Sequence, residues 1–335
     1  MRTAFHQYFQ PAETFIEQAW KDGFIAYDAS ALLNIYGYST ETRDGLVALI
    51  EKSAPRVHQP YQFGLEYARQ RSSAILKQVG NYQSARRSLE DVRQKIQGRN
   101  NHPFLSEASL TKYREILDEF SAQERELERL VGADPYAERL LKAFESRIGP
   151  KPSPERLMEL HAQAQQRYDS KIPPGYEDQG EKPERDAYGD YIGWRQLMEI
   201  AMDVKSHALL VIDDVKADWW QRHGKDGRRI IGPEPRLREE FFAETGQHVF
   251  LYTSEYFLRT AKAQNFAEIR TEMILDVAES LEVQRGAQLA TEPKRERSSF
   301  ASEKSEVPAI TEELSLTKGL AASDEKKSAP LTKGA

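Results

Sequence analysis

The chain has 335 residues, a formal net charge of −6 at pH 7 and no cysteine. This length allows a sizeable core in one or two domains. The lack of cysteine excludes a disulfide scaffold, a thiolate metal site and a cysteine nucleophile. The acidic balance argues against non-specific polyanion binding through bulk charge, and leaves room only for a local basic groove.

No membrane segment is expected, because no run approaches the roughly 20 apolar residues that a spanning helix needs. The first residues also lack the hydrophobic core of a signal peptide. We therefore expect a soluble, cytoplasmic protein without a membrane partner. The amphipathic residues 1–22 predict a short helix at the edge of the core.

The first stretch that suggests chemistry is an apolar run, Phe24–Tyr27, which ends at a lone acid, Asp28. The run predicts a buried strand, and Ser30 with the apolar residues after it predicts the start of a helix. In open α/β sheets ligands bind at the carboxyl ends of strands, so Asp28 is placed to hold a cation. Asp is also a favoured helix N-cap, and this stretch alone does not separate the two roles.

A second acid follows on a predicted helix. A helix is predicted from Ser39 or Thr40, and residues 56–60 predict a brief second strand. Glu66 comes next, beside an aromatic helical face. A lone Glu on a helix usually pairs with a neighbour such as Arg69, and that reading stays open for Glu66.

Residues 72–168 are highly charged, and their sparse apolar positions follow a helical period. Ser153 followed by Pro154 predicts the start of a further helix in this region. We interpret 72–168 as a helical insertion or lid that projects from an α/β core. The mixed charge fits a solvated coiled pair. The alternative is a phosphate track built from Arg69, Arg71, Lys77, Arg86 and Arg87.

A third acid follows a loop that paired prolines and a glycine make rigid, Lys171–Asp178. The helix predicted from Asp186 to about Val204 carries Asp186 and Asp190 on one face, because they are four residues apart. Like charges on one face repel each other unless a cation or a basic partner lies opposite. Acids near a helix N-terminus also complement its dipole, an explanation that suits Asp186 better than Asp190.

The fourth acid repeats the pattern of the first. The apolar run 207–212 predicts a strand and ends in two acids, Asp213 and Asp214. The tandem Trp219-Trp220 suits core packing or a hairpin, with stacking on a nucleic-acid base as the alternative.

The end of the chain contains one more strand and a tail. Residues 247–252 predict the last strand, and Thr253 or Ser254 caps the helix after it. Past about residue 285 the composition is of low complexity and cannot bury a core, which predicts a disordered tail.

Four carboxylates stand out, each at a strand end or in an early helical turn: Asp28, Glu66, Asp190 and Asp214. Oxygen ligands without cysteine or paired histidines select Mg²⁺ or Mn²⁺. Such ions activate water and stabilise the attacking and leaving oxygens of a phosphodiester.

The same residues carry a family resemblance. Asp28–Leu33 resembles the opening motif of PIN-like domains, an acid followed two residues later by a small polar side chain. Five further segments resemble a larger bacterial PIN-like subfamily with a helical insertion: Gln62–Tyr67, Lys171–Tyr176, Tyr188–Trp194, Leu210–Trp220 and Ile231–Pro233. The Tyr252–Leu258 segment continues the likeness, which spans about 23–260 and leaves the insertion poorly matched.

The resemblance implies a three-layer α/β/α core with a mainly parallel central sheet. Residues 1–71 and 169–285 would form this core. The helical insertion 72–168 would interrupt it, and the disordered tail 286–335 would follow it.

The resemblance also implies a metal-dependent nuclease, most often a ribonuclease, with Mg²⁺ or Mn²⁺ as cofactor. It implies metal ligation by Asp28, Asp190 and Asp214, with Glu66 as a fourth ligand or as the group that orients the water. The predicted partner is single-stranded or structured RNA, and by analogy the protein would act in defence or as a toxin. The predicted substrate contacts are Ser30, Arg69, Lys171 and Lys182.

Two departures from the subfamily pattern keep alternatives open. Ser30 stands where the subfamily commonly has Asn, and Ile212 stands where a Ser or Thr often assists the last acid. The alternatives are a catalytically weak scaffold or nucleic-acid-binding protein, and a structure-specific DNA nuclease with the same chemistry. A homodimer or an operon-encoded protein partner is a further expectation.

Overall fold

The computed structural model describes residues 1, 5–96, 105–179, 187–223 and 229–291. The fold is mixed α/β around a parallel three-stranded sheet. Its strands are β1 (Phe24–Tyr27), β2 (Ala208–Val211) and β5 (Val249–Tyr252), in the order β1-β2-β5. The register pairs Tyr27 with Val211 and Val211 with Tyr252. The three strands therefore end together, and the residues that follow them meet at one edge of the sheet.

The strand residues alternate between two buried clusters, one on each face of the sheet. Ile25, Leu209 and Phe250 belong to the first cluster, whereas their neighbours along each strand belong to the second. A parallel sheet that is buried on both faces needs apolar side chains at every position, which explains the uninterrupted apolar runs. Helices cover both faces, so the predicted three-layer α/β/α core is confirmed.

A separate antiparallel hairpin follows β2. It consists of β3 (Trp220–His223) and β4 (Arg229–Pro233). The α-helices of the described ranges are α1 (Glu13–Asp22), α2 (Ala29–Asn34), α3 (Thr40–Ser53), α4 (Tyr61–Ile96), α5 (Glu107–Gly132), α6 (Pro135–Ala143), α7 (Pro154–Asp169), α8 (Gly189–Val204), α9 (Pro235–Thr245), α10 (Ser254–Ala263) and α11 (Thr271–Thr291). Short 3-10 turns cover His6–Tyr8, Ile35–Gly37, Ala54–Arg56 and Tyr176–Asp178.

Several predicted helix starts are confirmed by their caps. The Ser39 side chain accepts a hydrogen bond from the N–H of Thr42, and the Ser153 side chain accepts one from Arg156. Thr253 caps α10 in the same way. Each cap satisfies a backbone donor that has no partner within its own helix, which fixes where the helix begins.

The region predicted as an insertion is helical. α4 runs without a break across the predicted boundary at 71/72 and packs antiparallel on α5 through Ile75, Val79, Leu127 and Leu130. Farther out, the Tyr82 and Phe120 rings meet edge to face. α6 packs on α3, and α7 packs on α8. The later part of this region is therefore joined to the layers that cover the sheet.

Two basic residues of the predicted phosphate track have structural partners instead. Arg71 forms an ion pair with the buried Asp134 at 2.7 Å. Arg86 lies 3.3 Å from Glu124, across the α4–α5 pair. Both guanidinium groups stabilise helix packing through these ion pairs. A phosphate would have to compete with the carboxylates for either group.

The second predicted strand, 56–60, is wrong. This segment makes two isolated parallel bridges, one between Val57 and Ile25 and one between Gln59 and Ile148. Pro60 lacks an N–H donor and ends the extended stretch before α4 begins. The segment lies beside β1 without extending the sheet.

The predicted tail and the predicted division of the chain are only partly covered by the described residues. α11 continues to Thr291, past the predicted start of the tail, and residues 292–335 lie outside the described ranges. The division into core, insertion and tail stays a prediction. Within the described ranges, none of the helices combines the length and apolar character that crossing a membrane requires.

Candidate functional site

Asp28 lies directly after β1 and serves as the N-cap of α2. Its Oδ2 accepts a hydrogen bond from the N–H of Ser30 at 2.7 Å. The side chain is buried, and burial together with the nearby charge of Asp190 raises the pKa of Asp28 to about 7, with a further contribution from Asp214. An N-cap needs one carboxylate oxygen and does not need to be buried. The N-cap role therefore explains the contact of one oxygen of Asp28, but not the burial of its side chain among acids.

The two acids after β2 have different surroundings. Asp213 accepts hydrogen bonds from the N–H and hydroxyl of Ser254, at 2.7 and 2.8 Å, and from the Asn34 amide at 3.1 Å. It thereby holds the first turn of α10. Asp214 accepts from the backbone N–H of Lys216 and from its ammonium group at 2.8 Å. Asp213 is a structural acid, and Asp214 is the one that lies beside Asp28.

Ser30 connects the ends of the two strands. Its hydroxyl oxygen accepts from the backbone N–H groups of Asp213 and Asp214, at 2.9 and 3.1 Å. The same hydroxyl lowers the pKa of Asp28 by hydrogen bonding to it, against the larger effect of burial. Ser30 therefore fixes Asp28 relative to Asp214, whether or not it also contacts a substrate.

Asp190 is in the first turn of α8 and is buried. The indole N–H of Trp219 donates to its Oδ2 at 3.3 Å. Trp219 is fully buried in the core and Trp220 donates to the carbonyl of Asp214 at 2.7 Å, so the tandem tryptophans support the acids and are not placed to stack a base. The predicted partner acid Asp186 lies outside the described residues.

Glu66 reaches the same helix end from α4. Gln62 donates to its Oε1 at 2.7 Å. A side chain at Gly189, the first residue of α8, would overlap that oxygen, so the glycine is what admits Glu66 to this position. The N-terminus of a helix carries partial positive charge, which favours a carboxylate there. Glu66 is thus next to the turn that carries Asp190.

Two acids of the site were missed from the sequence. Asp218 is fully buried, and its Oδ2 accepts from the N–H groups of Gly175 and Glu177, at 2.9 and 3.1 Å. Burial and the charge of Asp190 raise the pKa of Asp218 to about 7. Asp178 is buried at the end of the same loop. The four-residue spacing from Asp214 to Asp218 was the available signal, but nothing in it distinguishes a buried acid from a solvated one.

Lys216 is the basic partner within this group of acids. Its Nζ lies 2.8 Å from Asp214 Oδ2 and 2.5 Å from Asp178 Oδ1. Burial alone would lower the pKa of Lys216, but the surrounding Asp214, Asp190 and Asp178 outweigh it and raise the pKa above its ordinary value. The ammonium group is therefore charged at every physiological pH.

The site carries more negative than positive charge. Five aspartates, with one ammonium among them, surround the carboxyl end of β1 and β2: Asp28, Asp178, Asp190, Asp214 and Asp218. The buried Oδ1 of Asp218 has no hydrogen-bond partner. Buried like charges are costly unless a cation or protons neutralise them. The group can therefore bind a cation, exchange protons near neutral pH, or do both.

The donor types suit a hard divalent ion, because all of them are carboxylate oxygens. Within the described ranges, however, no three His, Asp or Glu side chains are arranged as a formed metal cage. The chemistry of the residues fits Mg²⁺ or Mn²⁺, while Lys216 occupies part of the space between the acids.

The predicted substrate contacts lie at different distances from this group. Ser30 is within it. Arg69 is exposed on α4, one turn beyond Glu66, and Lys171 is exposed at the start of the loop that Asp218 holds. Lys182 lies outside the described residues. The other departure, Ile212, is a core residue with no exposed surface.

Comparison with protein families agrees with this geometry. A family model described as a PIN like domain matches residues 24–237. The match begins at the first residue of β1, ends within α9 and contains all four predicted acids. PIN domains are usually nucleases and generally use divalent metals. No significant match was found among curated proteins or solved structures. The match covers more than half of the sequence, and the chain therefore belongs to the PIN-like domain family.

Proposed function

We propose that the protein is a metal-dependent ribonuclease that hydrolyses phosphodiester bonds at the carboxyl end of its sheet. The observation that carries the proposal is the convergence of acids far apart in sequence. Ser30 joins Asp28 to the backbone of Asp214, and the charges of Asp190 and Asp214 contribute to the raised pKa of Asp28. Buried acids with perturbed pKa values are enriched at functional sites.

Asp28, Asp190 and Asp214 would hold the ions. When bound, Mg²⁺ or Mn²⁺ neutralises phosphate charge and lowers the pKa of a coordinated water. Glu66 would orient that water or complete the ligand set. Trp219 and Ser30 fix Asp190 and Asp28, which limits the reorganisation that catalysis has to overcome.

The substrate backbone would approach along the side that bears the exposed basic residues. Arg69 and Lys171 are the candidates in the described ranges, and Lys182 is a third candidate. Side chains that neutralise phosphates make binding depend on salt. RNA is proposed as the substrate from the family resemblance, and a structure-specific DNA nuclease is the alternative with the same acids.

The test is cleavage of end-labelled single-stranded RNA, and of DNA of the same sequence, with EDTA, Mg²⁺ or Mn²⁺. We expect cleavage of RNA only with a divalent ion, and a loss of about a hundredfold or more for Asp28→Asn and Asp190→Asn, in line with the removal of a metal ligand. Asp203→Asn is the matched control, because Asp203 is an exposed acid near the other end of α8.

Each result has a distinct meaning. Equal cleavage by wild type and Asp28→Asn would remove Asp28 from the mechanism. Cleavage of DNA in preference to RNA would support the alternative substrate. RNA binding without cleavage would support a scaffold, the function that the apolar Ile212 motivates.

A further inference from the structure

Lys216 holds an unusual position for a lysine, because it reaches inward from the segment between β2 and β3. Its ammonium group lies between Asp214 Oδ2 at 2.8 Å and Asp178 Oδ1 at 2.5 Å. Three-quarters of the side chain surface is covered, and Asp178 is almost completely buried. Surface ion pairs contribute little to stability, but a pair that is this well covered is screened much less by solvent.

The loop that presents Asp178 is fixed from the other side by Asp218. One carboxylate oxygen of Asp218 accepts from the N–H groups of Gly175 and Glu177, on either side of the turn that leads to Asp178. Gly175 has φ +92°, a conformation that other residues rarely adopt. Tyr168 lies where its Cβ would be, so a larger residue would strain this loop. Asp178 is therefore held in place independently of Lys216.

The second carboxylate oxygen of Asp218 indicates that this cluster binds a ligand. Its Oδ1 is buried without a hydrogen-bond partner, and the residue interacts with the charges of Asp190 and Asp214. A buried oxygen without a partner costs free energy that a bound cation, or a water bound to one, would recover. One ammonium group beside five carboxylates leaves the cluster negative.

We propose that Lys216 is a positioning residue that acts as an internal cation, holding Asp214 in place when no divalent ion is bound and competing with that ion for Asp214. This inference rests on the proposed function, since it concerns the same metal ligands. An ammonium group and a divalent ion that share one carboxylate repel each other, so binding of the ion requires Lys216 to turn toward Asp178 alone. The lysine would thereby weaken metal binding and keep the acids ordered between catalytic cycles.

The experiment measures Mn²⁺ binding directly, by calorimetry and by the electron paramagnetic resonance signal of free Mn²⁺. Lys216→Met keeps the length of the side chain and removes its charge, and we expect it to bind Mn²⁺ about tenfold more tightly, since a unit charge a few ångströms away is only partly screened. Lys216→Arg keeps the charge and is the matched control, with an expected Kd near that of wild type. In EDTA, Lys216→Met should melt at a lower temperature than wild type, and Mn²⁺ should raise its melting temperature by more.

A double variant keeps the test valid if Lys216→Met does not fold. Lys216→Met with Asp178→Asn removes one charge of each sign, so the net charge of the cluster stays that of the wild type. It should also bind Mn²⁺ more tightly than wild type, because Asp214 is released from its competitor.

The outcomes separate this inference from the proposed function. If wild type binds Mn²⁺ and neither Lys216→Met nor the double variant binds it more tightly, Lys216 does not compete with the ion and only this inference fails. If the Lys216→Met variant binds less tightly, the lysine supports the ion and the inference is reversed. If neither wild type nor the variants bind Mn²⁺, the proposed function fails as well.

Discussion

The adjacent acids Asp213 and Asp214 should respond oppositely to the same substitution. Asp213→Ala leaves three donors without their acceptor: the N–H and hydroxyl of Ser254, and the amide of Asn34. At about 1.5 kcal/mol for each of the three hydrogen bonds to a charged group, and with some relief of repulsion among neighbouring acids, the expected loss in the free energy of unfolding is roughly 3 kcal/mol.

The companion variant, Asp214→Ala, removes an acid whose side chain is 17 % exposed and whose partner Lys216 keeps Asp178. Its expected cost is below about 1 kcal/mol, because Lys216 stays paired with Asp178 and the repulsion of Asp214 with Asp28 and Asp218 is removed. Urea denaturation followed by circular dichroism measures both variants. In a thermal melt, the loss for Asp213→Ala corresponds to a decrease of roughly 4–5 °C in Tm, because the entropy of unfolding grows with chain length.

Activity gives the converse result. Asp214→Ala should abolish cleavage and Mn²⁺ binding while the protein remains folded, whereas Asp213→Ala should keep both below its lower Tm. The structural assignment of the two acids would be refuted if Asp213→Ala cost less than about 1 kcal/mol, or if Asp214→Ala were the more destabilising change.

Two further predictions concern the same region. Gly189→Ala should cost about 1–3 kcal/mol in stability and reduce activity, because the added Cβ meets Glu66. Gly80→Ala is the control, since a Cβ there has free space on α4, and it should be neutral or stabilising. Equal effects of the two substitutions would contradict the packing argument. Because the pKa of Asp28 is about 7 when folded and 3.8 ordinarily, the folded state binds the extra proton, so this residue lowers stability as pH rises from about 4 to about 7. His248, whose pKa burial lowers to about 4, has the opposite effect up to about its ordinary value of 6.5. The difference between wild type and Asp28→Asn in EDTA should therefore change with pH across the Asp28 window, and a constant difference in the urea midpoint would exclude the shifted pKa.

The strand ends could be predicted from the sequence because the pattern is local. An apolar run followed by an acid specifies both the strand and the residue at its end, as at Asp28. For the two acids after β2, the local pattern does not tell which one belongs to the site. The choice of Asp214 over Asp213 depends on how the chain turns toward α10. Family resemblance favoured Asp214, and the contacts of Asp213 with Ser254 supply the physical reason.

The residues that were missed depend on contacts between distant segments. Asp178 and Asp218 come together because the loop before α8 contacts the segment after β2. No periodicity in the sequence predicts a contact between two such distant segments. The wrong strand at 56–60 has a similar cause. Its residues favour an extended backbone, but whether such a segment joins a sheet depends on donors and acceptors that another segment must provide.

The unbroken course of α4 limits how the protein can be shortened. A cut at 71/72 would sever a helix of 36 residues in the turn that carries Arg71, and removal of the residues beyond it would take away Asp134, which accepts from Tyr36 and pairs with Arg71. Ile75, Val79, Leu127 and Leu130 are part of the same apolar cluster as β1, so the base of the arm belongs to the body of the protein. Among the described residues of α4 and α5, Tyr82 and Leu127 are the outermost that contact this cluster. A shortened insertion should therefore keep α4 up to Tyr82 and α5 from Leu127 onward.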